Sequence, residues 1–503
     1  MISVGVDIGT SGVKILAMDE KGTVLETVHR DYPLYQEGNN SEQDPNDWWK
    51  ACAEGLRELT QKLSDITAIS FSGQMHGLVV LDEHDKVIRR AMLWNDQRTG
   101  PQCDYLNNQI GRDKLLEHTA NIALTGFTLP KILWMKEHEP ELFARIAKIM
   151  LPKDYIAYKL SGQFATDESD ASGTLLLDVK NRAWSPFMIE IAGLKPGQLP
   201  KLYPSTGAIG TVTPEAAKET GLTEKTVVVI GGGDQAVGAV GTGTVSAGMC
   251  SLSLGTSGVV FVAGDKFAVD RSSSAVHSFC HANGGYHMMG VTLGAAASTK
   301  WWVEDILGTG DYDQEQSAIN LSKLGNNTIY YLPYLSGERT PINDPYARGA
   351  FVGMATYTTR ADMTQAILEG VAYSLRDNLE AIKRLGISVS SARIIGGGAK
   401  SSLWCQIMAN VLNLRVEKIA IAEGPAFGAA ILAMVGRRSS AGGGSSAGED
   451  SLKELEEACE NLIKVTETFE PDQKISIKYN KHYPIYTKLY ENLADTFRDA
   501  NAN

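Results

Sequence analysis

Short apolar runs closed by glycine punctuate this 503-residue chain from its first residues. Ile2 to Ile8 reads as a strand, Gly9-Thr10-Ser11-Gly12 as a tight loop and Val13 to Met18 as a second strand. Asp19-Glu20-Lys21-Gly22 then turns the chain into a third strand predicted over Thr23 to Tyr35, so a meander is expected. A helix is predicted from Asp44-Pro45-Asn46-Asp47 through Trp48 and Trp49 to about Leu63, capped by Asp44 or Asn46. Ile66 to Phe71 is the next strand and runs into Ser72-Gly73-Gln74-Met75-His76-Gly77. From about Arg98 to Gly221 helix and loop alternate irregularly, as expected of an insertion that builds one wall of a cleft.

The β-branched run Thr226 to Ile230 ends in Gly231-Gly232-Gly233-Asp234-Gln235, a buried strand opening through a tight turn into a helix of small residues. A second start follows: the strand Ser251 to Leu254, the loop Gly255-Thr256-Ser257-Gly258 and the strand Val259 to Ala263. Gly-Thr-Ser-Gly thus stands twice between short strands. Ala236-Val237-Gly238-Ala239 is echoed in the same order by Ala426-Phe427-Gly428-Ala429, and two ordered echoes favour a duplicated domain over coincidence. Later, Ser391 to Ile395 forms a strand entering Gly396-Gly397-Gly398, with a helix carrying Leu403, Trp404, Ile407, Met408 and Val411 beyond. Residues 436–448 have the composition of a linker or exposed loop. Tyr479, Tyr483, Tyr486, Tyr490, Leu493 and Phe497 recur near helical spacing, which reads as core packing.

Composition narrows the function classes. The length calls for at least two domains. A net charge of −12 argues against nucleic acid and anionic membrane as partners. Six scattered cysteines read as reduced and cytosolic, no secretory signal is visible at the N-terminus, and no apolar stretch reaches bilayer length. His277 and His281 share a face of a predicted strand from which Cys280 points away, so no structural metal is expected there. Asp167, Glu168 and Asp170 read as a solvated or cap-forming loop.

Glycine-rich turns at 9–12, 255–258 and 396–398 offer backbone amides and hydroxyls of the kind a polyphosphate needs, without the P-loop pattern. Asp7 precedes the first of them, either as a turn-forming residue or as a carboxylate that holds Mg²⁺ through water. Asp234 either caps its helix or takes a proton from a hydroxyl.

Asp7-x-Gly9-Thr10-Ser11, Ser253-Leu254-Gly255-Thr256-Ser257 and Gly396-Gly397-Gly398-Ala399 resemble the phosphate and adenosine motifs of the sugar kinases related to glycerol kinase, in the actin-like ATPase superfamily. Residues 126–138 resemble that family's first signature, and 349–353 with 362–370 its second. Ser72 to Gly77, Leu93-Trp94-Asn95-Asp96, Leu151 to Tyr155 and Tyr334 to Pro341 are closest to its xylulokinase branch. The resemblance implies an α/β fold of two ribonuclease-H-like domains flanking a deep cleft, a sugar-binding domain at 1–242 and a nucleotide-binding domain at 243–503.

It also implies transfer of phosphate from ATP, with Mg²⁺, to D-xylulose, in the cytoplasm. Asp234 would then be the general base, with Met75, His76, Trp94 and Gln235 around the sugar. Gly9, Thr10, Ser11, Gly255, Thr256, Ser257, Gly397, Gly398 and Ser401 would lie against ATP, and Asp7 would serve the metal. A homodimer is the association the family suggests. The competing readings are a kinase for ribulose, gluconate, fuculose or glycerol, and an actin-like ATPase without a sugar substrate. Gln235 stands where a close relative has Asn, and Ser401 where some relatives use Asn.

Overall fold

The computed structural model describes residues 1–420, 424–441 and 449–500. Contact clustering divides the chain into two compact units. The first is Met1–Ser246 with Ser278–His287 and Glu423–Ile463; the second is Ala247–His277, Met288–Ala422 and Lys464–Asn503. A single cut near residue 242 does not describe this division, because two later segments return to the first unit.

In the first unit the expected meander forms from β1 (Ile2–Ile8), β2 (Gly12–Asp19) and β3 (Val24–Asp31), each antiparallel to the next. The third strand is shorter than the reading over Thr23 to Tyr35, since Tyr35–Glu37 belongs to a separate small sheet. Helix α1 (Pro45–Lys62) starts with Pro in its first turn and with the Asp44 carboxylate accepting from Asn46 N, so Asp44 is the cap. It buries Trp48, Cys52, Leu56 and Leu59 on the sheet core. Strand β4 (Ile66–Gly73) runs parallel to β1, and β5 (Val227–Val229) runs parallel to β4 on its other side. The order across the sheet is Ala208–Thr211, β5, β4, β1, β2, β3.

Helix α2 (Asp234–Gly241) follows β5 through Gly231, whose φ of +71° suits glycine. In the second unit the hairpin of β6 (Met249–Leu254) and β7 (Gly258–Gly264) has its first strand paired in parallel with β8 (Ser391–Ile395). The arrangement of β1, β2 and β4 therefore recurs around the second Gly-Thr-Ser-Gly loop. The sheet continues through Arg415–Ile419 to Val465–Phe469.

Helix α3 (Gly424–Ala441) belongs to the first unit and lies on β1 and α2. Glycines make that approach possible: a Cβ at Gly5 would lie 2.0 Å from Ala426 O, and one at Gly428 2.0 Å from Val237 O. The two echoing small-residue segments thus pack on each other. Residues 436–441, read from composition as linker, continue this helix, because Val435 and its neighbours are buried against the sheet; 442–448 lie outside the described residues. The six cysteines are buried thiols, none of them in a disulfide. No described helix is long and apolar enough to cross a membrane.

Candidate active site

Gly232–Gly233 forms a two-residue strand parallel to Ser72–Gly73, so the residues following each strand emerge side by side. On one side stands Asp234, the first residue of α2. Its capping position is occupied by Gly233 with no side-chain cap bond, so the Asp234 carboxylate is not the cap. Burial pushes that carboxyl up to about 7; the nearby Asp7 adds to the rise, and the side-chain and backbone amides of Gln235 offset part of it. Asp7, near the end of β1, sits opposite Lys14 on β2 and Ser72 on β4. Burial raises it above the ordinary carboxylate value, and Ser72 and Lys14 offset part of that rise.

On the other side stand Met75 and His76. Met75 is buried and fills the space beside Gly233, where a Cβ would lie 3.0 Å from its Cγ and Sδ. His76 has φ +70°, and its Nδ1 lies 2.7 Å from the Gly173 carbonyl oxygen. A carbonyl only accepts, so Nδ1 carries the proton and donates. The His76 carbonyl accepts from Lys131 Nζ at 2.9 Å and Thr128 Oγ1 at 3.1 Å, which holds the left-handed turn. Lys131 is fully buried, and burial lowers its ammonium to about 7.

Trp94 is 44 % exposed and donates from Nε1 to Thr10 Oγ1 at 3.0 Å. Thr10 belongs to the loop joining β1 and β2, where Gly9 N donates to Gly12 O at 3.0 Å, Tyr32 OH donates to Gly9 O, and Ser11 is exposed. The first unit therefore brings together Asp7, Gly9, Thr10, Ser11, Met75, His76, Trp94, Asp234 and Gln235 around the ends of β1, β4 and β5.

In the second unit Gly396 has φ +93°, and a Cβ there would lie 2.7 Å from Leu254 O, so the turn at 396–398 abuts the loop Gly255-Thr256-Ser257. Gly398 is wedged between Leu254 and Trp404, whereas a Cβ at Gly397 would meet nothing within 4 Å. The carbonyls of Gly255 and Thr256 accept from Ala296 N at 2.8 Å and Ala295 N at 3.1 Å, which fixes the loop, and Thr256 is exposed. Ser401 caps the helix Ser402–Leu412: its hydroxyl accepts from Trp404 N at 3.1 Å and donates to Gln316 Oε1.

Comparison with known proteins agrees with this geometry. Residues 2–241 match the N-terminal domain of the FGGY family of carbohydrate kinases, and residues 250–437 match its C-terminal domain. The chain belongs to the FGGY family of carbohydrate kinases. It is 39% identical over 498 residues to the xylulose kinase of Bacillus subtilis, covering 98% of this chain and 97% of that one. The crystal structure of a xyloylose kinase from Brucella ovis superposes with a TM-score of 0.90 at 36% identity, covering 99% of this chain and 100% of that chain. A gluconate kinase from Lactobacillus acidophilus gives 0.89 at 26% identity, covering 99% of each. The chain is thus a carbohydrate kinase with the two-domain FGGY fold of the actin-like ATPase class.

Beside the turn before Asp234 lies a buried charge cluster that the sequence reading did not assemble. Lys153 is fully buried and pairs with Asp154 at 2.6 Å and Asp167 at 3.0 Å, with Asp170 at 3.9 Å. Asp167 caps Glu168–Ser172 as anticipated, but neither it nor Asp170 is solvated: both are 0 % exposed. An ammonium held among three carboxylates keeps them in the interior, which a local reading of an acidic run does not foresee. Asp167 accepts from Ser169 Oγ at 2.5 Å, and Ser169 Oγ in turn accepts from Gly233 N at 3.2 Å. The turn before Asp234 is therefore anchored to this cluster. Lys153 and Asp154 did stand inside the Leu151 to Tyr155 motif.

Proposed function

We propose that this FGGY kinase transfers the γ-phosphoryl group of ATP to the terminal hydroxyl of D-xylulose, with Asp234 as general base. The observation that carries the reading is the placement of the Asp234 carboxyl at the start of α2, directly beside the Met75–His76 turn that would face the sugar. Its upward shift to about 7 supports the role, since a base titrating near neutral pH combines availability with driving force. Phosphoryl transfer asks mainly for alignment and charge neutralisation, so one base and fixed polar groups suffice from the protein. The names of the relatives at 36–39% identity support xylulose as substrate.

His76 would present its second ring nitrogen to a sugar hydroxyl as an acceptor, because Nδ1 already donates to Gly173. Trp94 and Gln235 would complete the sugar pocket in the first unit, and the loops at 255–257 and 397–398 with Ser401 would hold the nucleotide in the second unit. Asp7 and Asp234 raise one another's cost of ionisation, which is the setting a divalent cation relieves. Asp7 would hold Mg²⁺ through water, and the ion would supply charge neutralisation at the phosphates.

An ADP-release assay over a panel of ketoses and polyols, with and without Mg²⁺, tests the substrate. D-Xylulose should give the highest kcat/KM, and hydrolysis indifferent to every sugar would reject the reading. Asp234→Asn should lower kcat by about 10²- to 10⁴-fold while ATP still binds, and near-normal turnover would remove Asp234 from the role of base.

A further inference from the structure

Two indole groups terminate a hydrogen-bond chain in the first unit. Trp48 Nε1 donates to Gln43 Oε1 at 3.1 Å, and Gln43 Nε2 donates to the Thr10 carbonyl at 2.7 Å. Gln74 Nε2 donates to the same Gln43 oxygen at 2.9 Å, which turns Gln74 Oε1 toward the Thr10 hydroxyl at 3.2 Å. Trp94 Nε1 reaches that hydroxyl at 3.0 Å. An indole nitrogen can only donate, so the polarity of the chain is fixed from both ends. The Trp48 end orients Gln43, Gln43 orients Gln74, and Gln74 Oε1 accepts the hydrogen bond donated by the Thr10 hydroxyl. The Trp94 end occupies a Thr10 lone pair.

Gln43, Trp48 and Gln74 are no more than 3 % exposed, so this part of the chain cannot exchange its partners for water without cost. A threonine expected to donate to phosphate thus has its proton committed inward. The side of its oxygen that remains carries a lone pair, which a phosphate oxygen avoids. The same hydroxyl touches the indole expected to line the sugar pocket.

We propose that Thr10 is a positioning residue that couples sugar to nucleotide: it carries the placement of Trp94 into the loop Gly9–Gly12, and it is not a hydroxyl donor to phosphate. This rests on the reading that the sugar packs on Trp94 and the phosphates on that loop. A sugar that places the indole fixes the donor to the Thr10 lone pair, and with it the orientation of Thr10 in the loop that the nucleotide meets. By linkage, nucleotide tightens sugar binding by the same factor.

Calorimetric titration of a non-hydrolysable ATP analogue, with and without saturating D-xylulose, tests this on the full-length protein and its Trp94→Phe, Thr10→Val and Thr10→Ser variants. In the unaltered protein the sugar should tighten nucleotide binding by about 5-fold or more. Trp94→Phe and Thr10→Val should each bring that ratio to within about two-fold of unity, and Thr10→Ser should restore it. The proposal is overturned if coupling survives in Trp94→Phe, or if Thr10→Val alone weakens sugar-free nucleotide binding by about ten-fold or more, the mark of a lost phosphate contact. Because Trp94 is 44 % exposed, its variant reports even where Thr10→Val fails to fold. If D-xylulose does not bind at all, the substrate reading fails, and the same titrations with the sugar selected by the ADP-release panel decide the coupling.

Discussion

Replacing Gly428 by alanine should damage both stability and turnover, although the residue lies outside every sugar or nucleotide motif. The added Cβ would stand 2.0 Å from the Val237 carbonyl oxygen and 2.8 Å from Gly241 N, both backbone atoms of α2. A flexible side chain could rotate away from such a contact; two helix backbones must separate. Restoring ordinary contact near 3.4 Å requires α3 and α2 to part by about 1.4 Å. Overpacking of this kind costs about 1–3 kcal/mol, and with no side chain to yield the upper end is expected, near 3 kcal/mol. For a unit of this size that lowers the apparent unfolding midpoint by roughly 5 °C. The helix that moves begins at Asp234, and a displacement of about 1 Å at a reacting group can cost on the order of 10² in rate. Thermal unfolding monitored by fluorescence and steady-state kinetics on the same preparation provide the two readings. Gly100→Ala is the control: its Cβ meets nothing within 4 Å and its φ is ordinary, so stability should be unchanged or rise by about 0.4–1 kcal/mol. A Gly428→Ala protein that keeps its midpoint and its kcat within two-fold would refute the packing argument.

Three further outcomes follow from charge. Asp234 must be ionised to accept a proton, so kcat/KM should rise with pH to a plateau above about 7 and be lost in Asp234→Asn; a flat profile from pH 5.5 to 8 would contradict it. The same group acts in the opposite direction on stability: the folded state binds its proton more tightly than the unfolded chain between roughly pH 4 and 7, so its contribution falls as pH rises through that window and then levels off. Denaturant midpoints of the unaltered and Asp234→Asn proteins at pH 5 and 8 should differ accordingly. Lys153→Met should cost about 3–5 kcal/mol, because it leaves Asp154, Asp167 and Asp170 without their cation; a loss under about 1 kcal/mol would show that the cluster is not held by charge.

Local order was legible where it rests on short-range chemistry. The Ile2–Ile8 strand, the loop after it and the Asp44-capped helix follow from β-branched runs, glycine and an Asx cap, each of which acts within a few residues. The tyrosine stripe of the C-terminal helix was likewise legible as core, with Tyr479 and Tyr486 buried. Its chemistry was not: Tyr479 OH donates to Glu369 at 2.7 Å and Tyr483 OH to Asp377 at 2.6 Å, so the stripe also satisfies buried carboxylates more than 100 residues away in sequence.

By itself the sequence determined the hairpins, their glycine-rich loops and the repetition of Gly-Thr-Ser-Gly, because spacing and residue type carry those features, and its resemblance to a sugar-kinase family pointed to Asp234 as the carboxylate to watch. Only the tertiary structure decided that residues 424–441 return to lie on β1, that Gly428 faces Val237, that Asp167 and Asp170 are buried around Lys153, and that the Thr10 hydroxyl donates to Gln74. Each of these is a pairing across tens to hundreds of residues. A backbone approach needs both surfaces to be known, a buried charge needs its counter-ion, and the direction of a hydroxyl depends on donors brought to it by separate strands.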